Sequence, residues 1–211
     1  MEKLSLHSLG PLAGPERTTV LLVDVQRVFT GMPLSPPVAV VLGNLRRFLD
    51  GARALGVPVI VVRNVVPPEL SSSVWRRQHP NLDVSLLNPG TLNVDYEPGF
   101  EPSERDVVVT KPRYSAFVGT PLEAILRVRD VHTVVVAGLT TDVCVGSAAR
   151  DAFQRDLNVI TLADCCAEMT QARNEAALAT LAECFGTVCA STELLACWRA
   201  RPSPSATPPL G

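Results

Sequence analysis

Two apolar periods alternate along this chain, and that alternation restricts its fold more than any other feature. Residues 18–23 form an apolar, β-branched run that ends at Asp24, and runs of the same kind recur at 57–62, 107–110, 131–137, 158–162 and 187–190. Between them the spacing is helical. In 38–55, Val41, Leu45, Phe48 and Leu49 fall on one side, and shorter helical stretches occupy 122–128, 142–154, 172–183 and 193–198. The 172–183 stretch is rich in alanine, leucine and glutamate, all strong helix formers. A strand that is apolar on both faces has to be covered on both. Six such strands alternating with helices predict an α/β fold in three layers, α/β/α, with a central six-stranded parallel sheet and right-handed crossovers.

At 211 residues and 46% hydrophobic, the chain carries enough apolar material for one core. It reads as one domain at 18–198. A flexible lead at 1–17, punctuated by Gly10, Pro11, Gly14 and Pro15, precedes it, and a proline-rich, disordered tail at 199–211 follows. The rhythm breaks once, at 64–105, where six prolines fall and little periodicity remains. A long irregular insertion in a compact domain is usually functional, so this one is expected to wall a pocket.

Several function classes are disfavoured at this point. A net charge of −2, scattered arginines and 5% aromatic residues give no footprint for a nucleic-acid partner. No run of 18 apolar residues predicts a membrane helix, and no basic-then-apolar leader predicts export. The six cysteines, at 144, 165, 166, 184, 189 and 197, form no Cys-x-x-Cys pair, and only three histidines accompany them. That pattern predicts reduced thiols in a cytoplasmic protein and no structural zinc.

In an open α/β sheet, ligands bind beyond the carboxyl ends of the strands. Three reactive side chains fall at such ends: Asp24 after the first strand, Lys111 after the third, and Cys144 after the fourth. A thiol at a helix start is expected to have a lowered pKa, because unpaired amide N–H groups favour the thiolate. Together the three make a nucleophilic set. Cys144 attacks a carbonyl. Asp24 takes the thiol proton, passes it to a leaving amine, and then activates water. Lys111 stabilises the negative charge, and backbone N–H groups at the turn before Cys144 are the natural oxyanion donors.

The motifs that carry these residues resemble those of the isochorismatase-like hydrolase family, in its cysteine amidohydrolase branch. Asp24-Val-Gln-Arg-Val-Phe29 is similar to the family's first catalytic segment, Lys111-Pro-Arg-Tyr-Ser-Ala-Phe117 to the second, and Gly138-Leu-Thr-Thr-Asp-Val-Cys-Val145 to the nucleophile segment. The resemblance covers nearly all of 18–198. It implies a strand order of 3-2-1-4-5-6, the catalytic roles of Asp24, Lys111 and Cys144, and a homodimer or homotetramer. It also implies a non-proline cis peptide bond at Leu139–Thr140, which would set the Thr140 N–H beside that of Cys144 as a pair of oxyanion donors.

Family members differ in reaction. Those that cleave isochorismate do not use the nucleophilic cysteine, so Cys144 disfavours that activity. Nicotinamidases resemble this chain in the triad but add a metal-binding Asp-x-His after the second strand. Here the single histidine of that region, His79, has Arg77 in place of the aspartate, so neither a catalytic metal nor any other cofactor is expected. The remaining reading is a hydrolase of small linear amides and ureides such as N-carbamoyl compounds, biuret or ureidoacrylate. Candidate substrate contacts are Gln26 for a urea-like group and Arg63 for a carboxylate. Trp75, Arg113 and Tyr114 are placed at the pocket wall or its mouth, and Phe29 and Phe117 as apolar walls. Thr140, Thr141 and Asp142 also fit a capping or bracing role. Two rivals from other classes are a non-catalytic interaction protein on the same fold and a redox protein using Cys165 and Cys166.

Overall fold

The first apolar run becomes β1 (Thr18–Val23), every residue of which is buried, and a single helical turn, α1 (Arg27–Thr30), follows it. A strand hidden on both faces belongs at the centre of a sheet, and β1 pairs in parallel with β2 (Val59–Asn64) on one side and β4 (Thr133–Leu139) on the other. Outward from these lie β3 (Val107–Lys111), β5 (Asn158–Ala167) and β6 (Thr187–Cys189), giving the order β3-β2-β1-β4-β5-β6, all parallel. This is the architecture and strand order expected above. The structure is a computed structural model, and it describes residues 13–80 and 83–201.

Alternation along each strand divides the core in two. Val20, Leu22, Val59, Val61, Val135 and Ala137 face one layer of helices, α2 (Val38–Ala54) and α7 (Ser191–Arg199), where Leu45, Phe48, Leu194 and Trp198 meet them. Leu21, Val23, Ile60, Val62, Val134 and Val136 face α4 (Leu122–Val128), α5 (Gly146–Phe153) and α6 (Gln171–Cys184). Adjacent Cys165 and Cys166 fall into opposite core layers, and both are free and buried. Burial pushes the Cys166 thiol up to about 12. Neighbouring side chains on opposite faces of a strand are poorly placed for a bridge, so the structure speaks against the redox reading.

Three features differ from the sequence expectations. β5 runs five residues past the predicted end at 162, because a register shift between Val136 and Gly138 lets Cys166 and Ala167 pair with Gly138 and Leu139. Gly138 has φ +129°, and a Cβ there would run into the Val23 carbonyl oxygen, so glycine is needed for β4 to approach β1. The helix expected at 142–154 is split into a π-turn, Thr141–Val145, followed by α5. Finally, residues 13–17 of the expected flexible lead are docked. Ala13 is buried, its carbonyl accepts the Trp198 indole N–H at 2.7 Å, and the Thr18 hydroxyl donates to the Gly14 carbonyl. The rest of the predicted lead, 1–12, and the predicted tail from 202 onward lie outside the described residues.

The 64–105 insertion has more order than its prolines suggest. It contains one short helix, α3 (Ser73–Gln78), capped by the Ser72 hydroxyl, and 3-10 turns at Pro68–Leu70, Val84–Leu87 and Leu92–Val94. Val65, Leu87 and Val94 form a small core of its own. No helix among the described residues is long and apolar enough to cross a membrane.

Candidate active site

The carboxyl ends of β1, β3 and β4 converge on one buried cluster. Asp24 leaves β1 with φ +53°, in the left-handed region, while its N–H donates to the Val62 carbonyl at 2.9 Å. Non-glycine residues adopt that conformation rarely, and often at functional sites. Here it ends the strand and directs the next segment across the sheet edge. Lys111 reaches inward from β3, two strands away. Its ammonium lies 2.7 Å from Asp24 Oδ2, 3.4 Å from Cys144 Sγ and 3.0 Å from the Arg113 carbonyl oxygen. Three N–H donors thus meet three acceptors. Asp24 and Lys111 are fully buried and Cys144 is 3% exposed, so the cluster works at low dielectric, where a charge without a partner is costly.

Electrostatics in the cluster overturn one expectation. Burial pushes the Cys144 thiol well above its ordinary value, the nearby Asp24 charge pushes it further, and Lys111 offsets only part of this. The helix-start effect is outweighed because the sulfur sits inside a buried π-turn rather than at an open N-terminus. Burial also raises the Asp24 pKa, with Lys111 opposing it. Burial alone would lower the Lys111 pKa, but Asp24 and Cys144 together turn the shift upward, so the ammonium persists. The resting thiol therefore keeps its proton, beside a carboxylate whose proton affinity has been raised.

The turn that carries Cys144 is held from behind by residues that sequence reasoning missed. The Asp142 N–H donates to Glu168 Oε2 at 3.1 Å, and the Thr141 hydroxyl donates to Asn174 Oδ1. Glu168 and Asn174 are almost fully buried. The Leu139–Thr140 peptide bond is cis, and the Val145 N–H donates to the Thr140 carbonyl at 3.1 Å. Thr141 braces the turn as expected, whereas the Asp142 side chain pairs outward with Arg150 and Arg173 at 3.7 and 3.6 Å.

A cavity of about 670 Å³ opens next to this cluster. None of the three reactive residues lines it. Their sequence and register neighbours do: Asn64, the strand partner of Lys111, together with Tyr114, Ser115 and Ser147. The cluster thus adjoins the cavity through these neighbours. Of the expected substrate contacts, Trp75, Arg113 and Tyr114 line the cavity, and the 64–105 segment supplies much of its wall.

Four expected contacts are placed elsewhere. Gln26 donates through Nε2 to the Asn64 and Val94 carbonyls at 3.1 and 2.8 Å and accepts the Asn64 N–H at 2.7 Å. Both of its N–H donors are spent on bracing backbone. Arg63 points to the α2 face, with its guanidinium 5.4 Å from the Tyr96 ring centroid. Phe29 packs against the α2-side core and the satellite cluster. Phe117 is 6% exposed, in the opposite core, under the Arg155 guanidinium at 4.7 Å.

Asn64 is the most informative residue that was missed. It is 4% exposed and lines the cavity, and its Oδ1 has no hydrogen-bond partner among the described residues. It closes β2, so the strand-end rule that found Asp24 and Lys111 covers it too. A search confined to titratable groups passes over it. Among the described residues no group of three or more His, Cys, Asp or Glu side chains is arranged to hold a metal ion.

Comparison with known proteins agrees with this geometry. The family model of the isochorismatase domain matches residues 18–193. A ureidoacrylate amidohydrolase RutB from Methylobacterium radiotolerans is 32% identical over 198 residues, covering 82% of this chain and 76% of that protein. The crystal structure of a cysteine hydrolase from Pseudomonas syringae pv. phaseolicola superposes with a TM-score of 0.80 at 31% identity, over 89% of this chain and 94% of that one. N-carbamoylsarcosine amidase from Thermoplasma acidophilum gives 0.71 at 26% identity, over 83% and 96%. On these matches the chain belongs to the isochorismatase-like hydrolase family, in its cysteine-hydrolase branch, whose chemistry is hydrolysis of non-peptide carbon–nitrogen bonds.

Proposed function

We propose that this protein hydrolyses a small linear amide or ureide, of the N-carbamoyl, biuret or ureidoacrylate type, through a thioester on Cys144. The observation that carries this reading is the buried contact of one ammonium, Lys111, with both the Asp24 carboxylate and the Cys144 sulfur. The relatives named for ureidoacrylate and N-carbamoylsarcosine support the substrate class.

The proton inventory fits acyl transfer. Asp24 takes the thiol proton as sulfur bonds to the carbonyl carbon, and the carbonyl π electrons move to oxygen. Lys111 and the backbone N–H groups of Thr140 and Cys144 stabilise that oxyanion. Collapse re-forms the carbonyl and breaks the C–N bond, and the amine leaves with the proton from Asp24. Water then gives a proton to Asp24 and adds to the thioester, and the sulfur departs and is reprotonated. The Asn64 carboxamide, whose Oδ1 has no partner among the described residues, carries a donor and an acceptor, the complement of an amide or urea group. Arg113 is available to a substrate carboxylate near the mouth.

The test is ammonia release from biuret, ureidoacrylate, N-carbamoyl amino acids, nicotinamide and simple amides, with intact-mass detection of an acyl adduct. Turnover of ureides with an adduct that maps to Cys144 is expected. Ureide turnover without any adduct under rapid quench, or activity confined to nicotinamide, would overturn the reading.

A further inference from the structure

The cavity wall contains three side chains whose hydrogen-bond directions follow from the chemistry of each group. The Trp75 indole N–H, which can only donate, reaches the Tyr114 hydroxyl at 2.7 Å. His79 Nδ1 lies 3.1 Å from the Trp75 carbonyl oxygen. A carbonyl oxygen only accepts, so Nδ1 carries the hydrogen. In the neutral ring Nε2 is then a bare acceptor, and it faces the Tyr114 hydroxyl at 3.4 Å. The hydroxyl therefore donates to His79. Stacking of the His79 and Trp75 rings, with centroids 4.7 Å apart, and an edge contact with Tyr114 hold the imidazole in that orientation.

The single proton of Tyr114 is thus spent within the wall, and toward the cavity its oxygen has only lone-pair density. Burial raises the Tyr114 pKa, so the proton stays on the phenol. We propose that His79 is a positioning residue that makes Tyr114 an acceptor-only group, so that this wall selects substrates presenting an N–H over isosteres presenting an oxygen. The inference rests on the amide and ureide reading above and adds a specific source of discrimination. A primary amide or ureide satisfies the Tyr114 oxygen. An ester of the same acyl group sets oxygen against oxygen and leaves a polar group unpaired, the situation in which sites discriminate most strongly. The same assignment leaves proton delivery to Asp24, since Tyr114 has no free proton to give.

Two measurements test this. The first is the nitrogen-15 signature of the His79 ring in the resting protein, which is expected to report the Nδ1–H tautomer with Nε2 as acceptor. The opposite tautomer would overturn the assignment whether or not a substrate is known. The second compares butyramide with methyl butyrate in the wild type and in His79→Leu, His79→Gln and Tyr114→Phe. His79→Leu removes the acceptor, and the amide KM is expected to rise about three- to tenfold, the worth of one hydrogen bond, with kcat little changed and the ester KM lowered, because the freed Tyr114 proton can then meet the ester oxygen. His79→Gln keeps an acceptor oxygen and is expected to restore most of the loss. Tyr114→Phe is expected to give the same loss, and adding His79→Leu to it nothing more. Equal KM rises for amide and ester, or a His79→Leu effect undiminished in the Tyr114→Phe background, would overturn the selection. Failure of the wild type to turn over either compound or any ureide would instead sink the proposed function, while the ring signature still decides the tautomer.

Discussion

The floor and the wall of the site are built by different means. The floor is the carboxyl end of a sheet: Asp24 and the Cys144 turn follow β1 and β4, which are buried throughout, and Lys111 is the buried last residue of the more exposed β3. The wall is a proline-rich segment with one short helix, three 3-10 turns and a core of three buried residues. In the floor every ammonium hydrogen already has an acceptor, so charge positions are set before a ligand arrives. In the wall Trp75, His79 and Tyr114 are half-buried and linked to one another. The groups proposed to react thus stand at the ends of regular strands, and those proposed to select substrate on the irregular segment beside them, a division of the kind rigid scaffolds and variable loops permit. The two regions meet at Gln26, whose amide ties the ends of β1 and β2 to Val94 in the wall.

The most severe break is in the floor. Cys144→Ala removes the proposed nucleophile and little volume, and turnover is expected to fall by about four to six orders of magnitude. The circular dichroism spectrum should be unchanged. Retention of most of the rate in the purified variant would refute covalent catalysis by this residue.

Lys111→Met tests whether the floor is also a stability element. It keeps the long side chain but leaves a buried Asp24 without its cation. Breaking a buried pair from one side costs about 3–5 kcal/mol. A loss of that order in chemical denaturation is expected, alongside loss of activity. A loss below about 1 kcal/mol would mean that water reaches the pair.

Protons in the floor give a pH prediction. In the proposed mechanism Asp24 has to be ionised to take the thiol proton, and burial raises its pKa from the ordinary carboxylate value. As pH falls, kcat/KM is therefore expected to decline before ordinary carboxylates titrate, which they do near about pH 4. An acid limb at or below that value would show that Asp24 is not the group being titrated.

Most of the floor was legible in the sequence, because long apolar runs mark buried strands and Asp24, Lys111 and Cys144 sit where such runs stop. What was lost depends on side-chain parity and on hydrogen-bond capacity. Arg63 and Asn64 both close β2, and the more reactive type drew attention, yet successive side chains point to opposite faces and only Asn64 faces the cavity. Gln26 has the right chemistry for a urea, but a sequence does not show that three backbone groups already occupy its amide. The continuation of β5 past Leu162 comes with the register shift beside Gly138, a tertiary event without a local signal, and the π-turn that splits the Cys144 helix has no local signal either. The wall was recognised by its lack of period, and that same lack hid the linkage of Trp75, His79 and Tyr114.

Asn64 is where floor and wall can be weighed against each other. Asn64→Ala removes a carboxamide whose Oδ1 has no hydrogen-bond partner among the described residues, so little stability should be lost. If the group meets substrate, kcat/KM for a ureide should fall about ten- to a hundredfold, the effect of one or two hydrogen bonds in a closed site. Loss of stability without a kinetic effect would assign Asn64 to the scaffold instead.

The smallest expected effect belongs to the neighbouring residue and sharpens that result. Arg63 lies on the other face of the same strand, stacked over Tyr96 and away from the cavity. Arg63→Met keeps much of the side-chain length and removes the cation. The stacked cation is worth about 0.5–1 kcal/mol, so a modest loss of stability is expected and KM for a carboxylate-bearing ureide should stay within about twofold. If KM instead rises tenfold for such a substrate and not for an uncharged one, the guanidinium reaches the ligand. The division of β2 into a site face and a scaffold face would then be wrong. A pair of adjacent residues, one with a kinetic and one with a structural phenotype, is the result that parity in a parallel strand requires.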